Sequence, residues 1–163
     1  MFCDLLPNLY GLDACKGDPL VYIDNLYKYY KEEIKYGLTY NGKPISCRKS
    51  PIFDNKEDSF HHLTCKCFEK NEDREPDLRR CERLTWIKPG IMGDHKEKHC
   101  FKMYIKEIRG TNKIHLFDEQ DRYLIVLEER KTYVLLVTAF YIQYDNVIQK
   151  KRKELQNYLD RTE

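Results

Sequence analysis

The side chains best suited to acid–base chemistry in this chain are three histidines, His61, His62 and His115. Histidine is the natural titrating group near neutral pH. Cleaving RNA through its own 2′-hydroxyl needs such a base, an acid for the leaving oxygen and cations for the charged transition state. Lys, Arg, Thr and Tyr are also common on solvated strands, so a purely structural role stays open. The cations and hydroxyls that could complete the site are Arg80, Arg83, Lys102, Lys106, Tyr104, Thr138 and Tyr141.

Two segments also combine histidine and cysteine in a way that could suit a metal ion. Structural zinc usually takes four nitrogen or sulfur ligands, arranged as Cys-x-x-Cys pairs or closely spaced histidines. Cys65 and Cys67 are separated by a single residue, and the sequence has no second closely spaced cysteine pair to complete a four-ligand set. Scattered cysteines produce such groupings by chance, so we expect no metal ion and no other cofactor. The alternative is a zinc-stabilised structural protein, which a chelator should unfold. The two segments contain His61, His62, Cys65 and Cys67, and His95, His99 and Cys100.

A basic run near the end of the sequence could contact phosphate groups. Lys150, Lys151, Arg152 and Lys153 follow one another on a predicted helix. Lysine and arginine supply most of the sequence-independent affinity for nucleic acid. Glu154 lies next to the run, however, and such runs are also typical of a solvated helix face.

Two of the hydroxyl candidates raise a geometric question. Thr138 and Tyr141 are three residues apart, so in a regular strand they point to opposite faces. For both to serve one site, a bulge or the strand end must redirect one of them. Tyr141 is the stronger candidate, because it shares its face with the small residue Ala139.

The longest apolar run, Arg122 to Tyr144, predicts the β-hairpin around which the other elements pack. Val, Ile, Leu, Thr and Tyr dominate it, and it contains no glycine or proline. The charged break from Glu128 to Lys131 divides it into two strands, each far shorter than a membrane-spanning helix. The second strand, Tyr133 to Ile142, is apolar on both faces and is expected in the middle of a sheet.

The N-terminal part predicts a helix followed by a small hairpin. Asp18-Pro19 is typical of a helix start and Gly37 of a helix stop, so the helix should cover residues 19 to 36. Asn41-Gly42 is a strong signal for a tight hairpin turn.

Two further helices are predicted. The stretch from 76 to 88 should form one of them and end at Pro89-Gly90. The charged stretch from 145 to 159 should form the closing helix, with a narrow apolar stripe. In the former, the residues expected to face the core are Leu78, Cys81, Leu84 and Ile87.

The remaining strands complete an α+β domain. Residues 99 to 108 alternate with period two, and Lys113 to Phe117 forms a short strand before the central hairpin. We therefore predict one domain, residues 1–163, with helices packed on one side of a four-stranded antiparallel sheet and a small N-terminal hairpin.

Composition narrows the functional classes. The chain has 163 residues, 41% apolar and 13% aromatic, so it is large enough for a core and is not disordered. Its net charge of +2 provides no global field, so any nucleic-acid binding would depend on local basic patches. The seven cysteines are an odd number and no signal peptide is visible, which predicts free thiols in the cytoplasm and no membrane partner.

Several segments together resemble phage and mobile-element nucleases of the barnase–EndoU–colicin–RelE superfamily. The resemblance covers about residues 37 to 155. The segments that carry it are NGKPISCRKSPIF leading into SFHHL, PDLRRCERLTWIKP, and RYLIVLEER with KTYVLLVTAFYI, followed by a basic helix. It is strongest in PDLRRCERLTWIKP and in the hairpin that ends in LVTAFYI.

This resemblance implies a nuclease core over residues 37–163, preceded by an N-terminal extension over residues 1–36. It implies metal-independent endoribonuclease activity on tRNA or mRNA, and it allows an immunity protein as a partner. It assigns catalytic roles to His62 (or His61), Glu82, Arg83, Thr138 and Tyr141. With the residue chemistry above, it also predicts RNA contacts from Arg80, Lys102, Lys106, Lys151 and Arg152.

A non-catalytic module is the competing prediction. It would bind nucleic acid or another protein through Lys102, Lys106 and the run from Lys150 to Lys153, without needing His62. The Cys-x-Cys at 65 and 67 and the long N-terminal helix have no counterpart in the resemblance, and either would fit a protein that only binds.

Overall fold

The computed structural model describes residues 1–66, 74–95 and 100–163. Its α+β class agrees with the prediction. In chain order the helices are α1 (Pro19–Tyr29), α2 (Asp58–Thr64), α3 (Leu78–Glu82), α4 (Ile87–Met92) and α5 (Asp145–Thr162). The strands are β1 (Thr39–Tyr40), β2 (Lys43–Ser46), β3 (Cys65–Lys66), β4 (Glu75–Pro76), β5 (Lys102–Ile108), β6 (Thr111–Asp118), β7 (Tyr123–Glu129) and β8 (Val134–Tyr141).

The main sheet is larger than predicted and is mixed. Strands β5 to β8 form the expected antiparallel meander, but the sheet continues through β2 to β1 in the order β1-β2-β8-β7-β6-β5. Strand β2 joins it by parallel pairing with β8, in which Ile45 lies opposite Val134 and Ser46 opposite Leu135. The prediction of a four-stranded antiparallel sheet was therefore wrong, because the Asn41-Gly42 hairpin adds its two strands to the sheet edge.

Helices cover both faces of this sheet, so the one-sided arrangement was also wrong. One face, carrying Ile125 and Ala139, packs into a cluster with buried residues of α1, α2 and α4. The other face, carrying Leu124 and Val126, packs against α5 through Leu155 and neighbouring residues. The apolar character of both faces of the central strands fits this double coverage.

The N-terminal helix and hairpin match their sequence signals. The Asp18 carboxylate accepts hydrogen bonds from the amides of Leu20 and Val21, as an N-cap should. A π-helical turn continues the helix to Ile34, so the element ends close to the predicted boundary. At the hairpin turn, Asn41 and Gly42 have φ values of 49° and 77°, the left-handed pair expected of a type I′ turn.

The second predicted helix differs from expectation. It breaks at Arg83 into a short 3-10 turn and resumes as α4, which runs through Pro89 and Gly90 to Met92. Pro89 is the third residue of α4, where its missing N–H costs no intrahelical bond. Of the predicted core residues Cys81, Leu84 and Ile87 are buried, whereas Leu78 is 52% exposed.

Gly90 is required for close packing and not for ending a helix. A Cβ built at Gly90 would lie 2.6 Å from Cδ1 of Ile125 and 3.2 Å from the Phe101 ring. Ile125 is itself fully buried in the central strand β7, so it has little room to move. The glycine therefore allows α4 to approach the sheet closely.

We predict that Gly90→Ala destabilises the fold by about 1–3 kcal/mol, although alanine normally favours a helix. The measurement is urea unfolding of the wild type, Gly90→Ala, Ile125→Val and the double variant. Because Ile125→Val deletes the nearest clashing atom, the alanine should cost less in that background. Equal costs in both backgrounds would contradict this packing explanation.

The described residues contain no helix with the length and apolar character needed to cross a membrane.

Candidate functional site

Helix α2 places an aspartate and a histidine on the same face. Asp58 and His62 are four residues apart, a spacing that brings side chains together on a helix. The His62 Nε2 atom lies 3.3 Å from Oδ2 of Asp58. The Asp58 side chain is 3% exposed, and its Oδ1 atom meets Nη1 of Arg74 at 2.8 Å. The buried carboxylate thus holds one nitrogen of an imidazole that remains 44% exposed.

His62 borders a cleft of about 250 Å³ between α2 and the sheet. Strand β8 forms its floor at a β-bulge, because Val126 pairs with Thr138 while Leu127 pairs with Leu136. The extra residue, Val137, lines the cleft. Bulges often redirect side chains next to functional sites. The charged residues that line the cleft are Arg48, Asp58, His62, Lys113 and Glu128.

The charges around this cleft favour a neutral imidazole. Burial lowers the pKa of His62 from its usual value, and the carboxylate of Asp58 opposes this effect. Three guanidinium groups lower the pKa further, those of Arg74, Arg48 and Arg80. A neutral imidazole with one nitrogen bonded to a carboxylate can accept a proton at its other nitrogen.

The far wall of the cleft carries a second ion-pair group. Glu128 is buried on β7 and pairs with the ammonium of Lys113, with Oε2 and Nζ 2.5 Å apart. Its other oxygen lies 2.6 Å from Nη2 of Arg130. By contrast, Arg48 is exposed and forms no ion pair with any described residue, so its guanidinium is available to an anion.

Arg80 and Thr138 meet His62 through its backbone. Arg80 Nη1 donates to the His62 carbonyl oxygen at 2.9 Å and to Thr138 Oγ1 at 3.3 Å. The Thr138 hydroxyl donates to the same carbonyl at 3.3 Å. The guanidinium also lies over the Phe140 ring, 5.2 Å from its centre. These three predicted residues are therefore brought together, with Arg80 and Thr138 fixing α2 against β8.

Glu82, Arg83 and Tyr141 form a separate group. The Arg83 guanidinium lies 4.3 Å from the centre of the Tyr141 ring, and its Nη1 atom is 3.5 Å from Glu82 Oε2. Thr138 and Tyr141 pair regularly with Val126 and Tyr123, which belong to the clusters on opposite faces of the sheet. The bulge precedes Thr138, so it does not bring Tyr141 to the face that carries Thr138.

The predicted RNA-binding residues on α5 and β5 are largely neutralised. Glu154 lies 2.9 Å from the Lys106 ammonium and 3.5 Å from that of Lys151. Arg152 pairs with the Glu119 carboxylate. Lys102 borders a different cavity, which is lined by residues of α4, β5 and α5. Of these positions, Lys106 is closest in register to the cleft, because it pairs directly with Lys113 across β5 and β6.

The other two histidines considered for acid–base chemistry make structural contacts. His115 is 4% exposed and stacks on Tyr104, with 4.6 Å between ring centres. His61 Nε2 lies 2.8 Å from the Phe53 carbonyl oxygen, and its Nδ1 lies 4.0 Å from Cys65 Sγ. Cys67 and His99 lie outside the described residues, so the two metal groupings considered from sequence can be followed only in part.

Sequence reasoning missed Asp58, Arg48, Arg74 and Lys113. The Asp-x-x-x-His spacing is present in the sequence, but it becomes a signal only on a helix, and no helix was predicted for this segment. The exposed loop residue Arg48 and the strand residue Lys113 reach the cleft through tertiary packing alone.

Comparisons with family models, curated proteins and solved structures found no match to this chain. The resemblance to mobile-element nucleases therefore stays a prediction.

We predict that Arg80→Ala destabilises the fold by about 1–3 kcal/mol, because it removes the charged donor shared by the His62 carbonyl oxygen and the Thr138 hydroxyl. Arg79→Ala is the matched control, since Arg79 is exposed on the same helix and should cost less. Chemical denaturation of both variants measures the difference. A loss in Arg79→Ala as large as in Arg80→Ala would rule out the anchoring role.

Proposed function

We propose that this chain is a metal-independent endoribonuclease whose working groups surround the cleft beside His62. The observation that carries the proposal is the His62–Asp58 pair at 3.3 Å, beside a cleft that is also lined by Arg48 and Lys113. Such a pair supplies an oriented base, and the surrounding guanidinium groups suit a phosphodiester. The resemblance to mobile-element nucleases points to the same histidine.

His62 acts as the general base in this mechanism. The protonated Nε2 faces the Asp58 carboxylate, so the Nδ1 lone pair takes the proton from the 2′-hydroxyl of the substrate. The new bond joins the 2′-oxygen to phosphorus, and the bond from phosphorus to the 5′-oxygen breaks. The lowered pKa keeps the imidazole neutral and competent at pH 7.

Cations on both sides of the cleft serve the phosphate and the leaving group. Arg48, which has no ion-pair partner among the described residues, binds the non-bridging oxygens. Lys113, on the far wall, donates a proton to the departing 5′-oxygen. The cycle closes when His62 releases its proton to solvent and Lys113 takes one up. Glu128 orients that ammonium.

The remaining predicted catalytic residues act as positioning residues in this proposal. Thr138 and Arg80 hold the backbone of His62. The group of Glu82, Arg83 and Tyr141 fixes α3 at the end of β8.

A non-catalytic RNA-binding module is the second candidate. The observation that favours it is the separation of Glu82, Arg83 and Tyr141 from the cleft, which divides the predicted catalytic set. Such a module would bind RNA through Arg48 and neighbouring cations with a salt-sensitive affinity that survives loss of His62.

We predict that the wild type cleaves a mixed tRNA and mRNA pool in excess EDTA and leaves 2′,3′-cyclic phosphate ends. His62→Gln should slow cleavage by at least about 100-fold, because it removes the base. Lys88→Ala is the surface control and should keep full activity. Lys88 lies on α4 and forms an exposed ion pair with Glu33. Circular dichroism confirms that each protein is folded under the assay conditions.

Failure of the folded wild type to cleave any RNA in the pool would refute the nuclease proposal. Retained, salt-sensitive binding by both wild type and His62→Gln would then support the binding module.

The pH dependence of cleavage tests the role of the His62 charge environment. Activity should fall as pH drops through the lowered pKa, since only the neutral imidazole accepts a proton. Arg48→Gln removes a cation that lowers this pKa, so the acidic limb of kcat/KM should move to higher pH. Asp58→Asn removes the carboxylate that raises it, so the limb should move to lower pH. Limbs that stay in place in both variants would exclude His62 as the titrating base.

A further inference from the structure

We infer that Cys3, His95 and Cys100 form a zinc site, which shares no residue with the cleft beside His62. The Sγ atoms of the two cysteines and a ring nitrogen of His95 all lie within 4.8 Å of one another. Thiolate and imidazole are the ligands that zinc prefers in proteins. The inference is independent of the proposed ribonuclease.

The separation of two ligand atoms matches a shared tetrahedral ion. Cys3 Sγ and His95 Nδ1 are 3.6 Å apart. Ligands bound to zinc at ordinary Zn–S and Zn–N lengths with a tetrahedral angle are also about 3.6 Å apart. The Cys100 Sγ atom lies within 4.8 Å of both of these atoms and would supply the third ligand.

The imidazole is already oriented as a metal ligand. His95 Nε2 lies 2.8 Å from the Pro89 carbonyl oxygen, so it carries the proton and donates it there. The Nδ1 lone pair then points towards Cys3. Zinc-bound histidines usually make this kind of hydrogen bond from the other ring nitrogen, which fixes their tautomer. The ring also packs on Phe101, with 4.8 Å between ring centres.

Specific contacts fix the backbone near Cys3 and His95. The Asp121 carboxylate accepts hydrogen bonds of 2.8 Å from the amides of Phe2 and Cys3. A Cβ at Gly93 would lie 2.5 Å from the Pro89 carbonyl oxygen and 2.9 Å from the His95 ring. The approach of Cys3 and His95 is therefore built into the packing.

The ion would have a structural role. Cys3 is 1% exposed and Cys100 is 4% exposed, so their thiolates would neutralise Zn²⁺ away from bulk solvent. Both thiols release their protons on binding, and a water or a further side chain takes the fourth position. The ion would join the N-terminal segment, the end of α4 and the start of β5.

Metal binding by the full-length chain tests the site directly. The protein is first treated with chelator and reductant, and Co²⁺ or Zn²⁺ alone is then titrated in. We expect one ion per chain, with Co²⁺ showing the visible bands of a tetrahedral site and a thiolate charge-transfer band. Zn²⁺ at a hundredfold excess over its Kd should raise the melting midpoint by about 5 °C or more.

Matched variants locate the ion. Cys3→Ser, Cys100→Ser and His95→Gln should each weaken binding and reduce the charge-transfer band, whereas Cys15→Ser, at a half-buried thiol bonded to Tyr10, should leave both unchanged. His95→Gln also serves if a cysteine variant fails to fold, because it keeps both thiols.

Three results would overturn the proposal. They are no bound metal in the reduced wild type, full binding by all three site variants, and a Cys3–Cys100 disulfide detected by mass spectrometry as the native state. The zinc proposal is judged by metal stoichiometry and spectra alone. RNA cleavage that persists after chelation bears only on the ribonuclease proposal.

Discussion

The contact on which the site depends is the one between the His62 carbonyl and the edge of β8. Strand β2 pairs with β8 only at Val134 and Leu135. Beyond that point, in the part of the chain that the structure describes, α2 and α3 lie against β8 in place of a strand. The Arg80 guanidinium and the Thr138 hydroxyl both donate to the His62 carbonyl oxygen, so a charge-assisted bond fixes this helix edge.

That anchoring gives His62 a defined position while leaving its ring accessible. The His62 carbonyl is bonded to Arg80 and to Thr138 of β8. One ring nitrogen lies 3.3 Å from the Asp58 carboxylate on the same helix. The β-bulge at Val137 opens the cleft beside the ring. The proposed role of His62 as a base needs a fixed position, and a side chain on a helix packed against a sheet is positioned more firmly than one on a loop.

The parts of this fold that could be predicted from sequence depend on local patterns. The Asp18 N-cap, the Asn41-Gly42 turn and the strands of the central hairpin each leave a signal within a few residues. The parallel pairing of Ile45 with Val134 leaves none, because it joins segments far apart in the chain. The continuation of α4 through Pro89 and Gly90 was likewise hidden, because Pro-Gly is a common helix stop and the close approach of Ile125 to Gly90 depends on tertiary packing.

The candidate site was also predictable from sequence only where it depends on local signals. His62 could be identified because histidine is chemically distinctive, but α2 was missed because its buried face includes the polar residues Asp58, Ser59 and Thr64. Without that helix the Asp58–His62 spacing had no meaning. Cys3 could not be linked to His95 and Cys100, because their proximity depends on the Asp121 carboxylate that holds the N-terminal segment.

The most direct test of the central claim compares two oligonucleotide pools of the same random sequence in EDTA, one of RNA and one of its 2′-deoxy counterpart. If His62 activates the 2′-hydroxyl, the wild type cleaves only the RNA pool and every new 3′ end carries a 2′,3′-cyclic phosphate or its hydrolysis product. Cleavage of the deoxy pool, or no cleavage of either pool by the folded protein, would contradict this account.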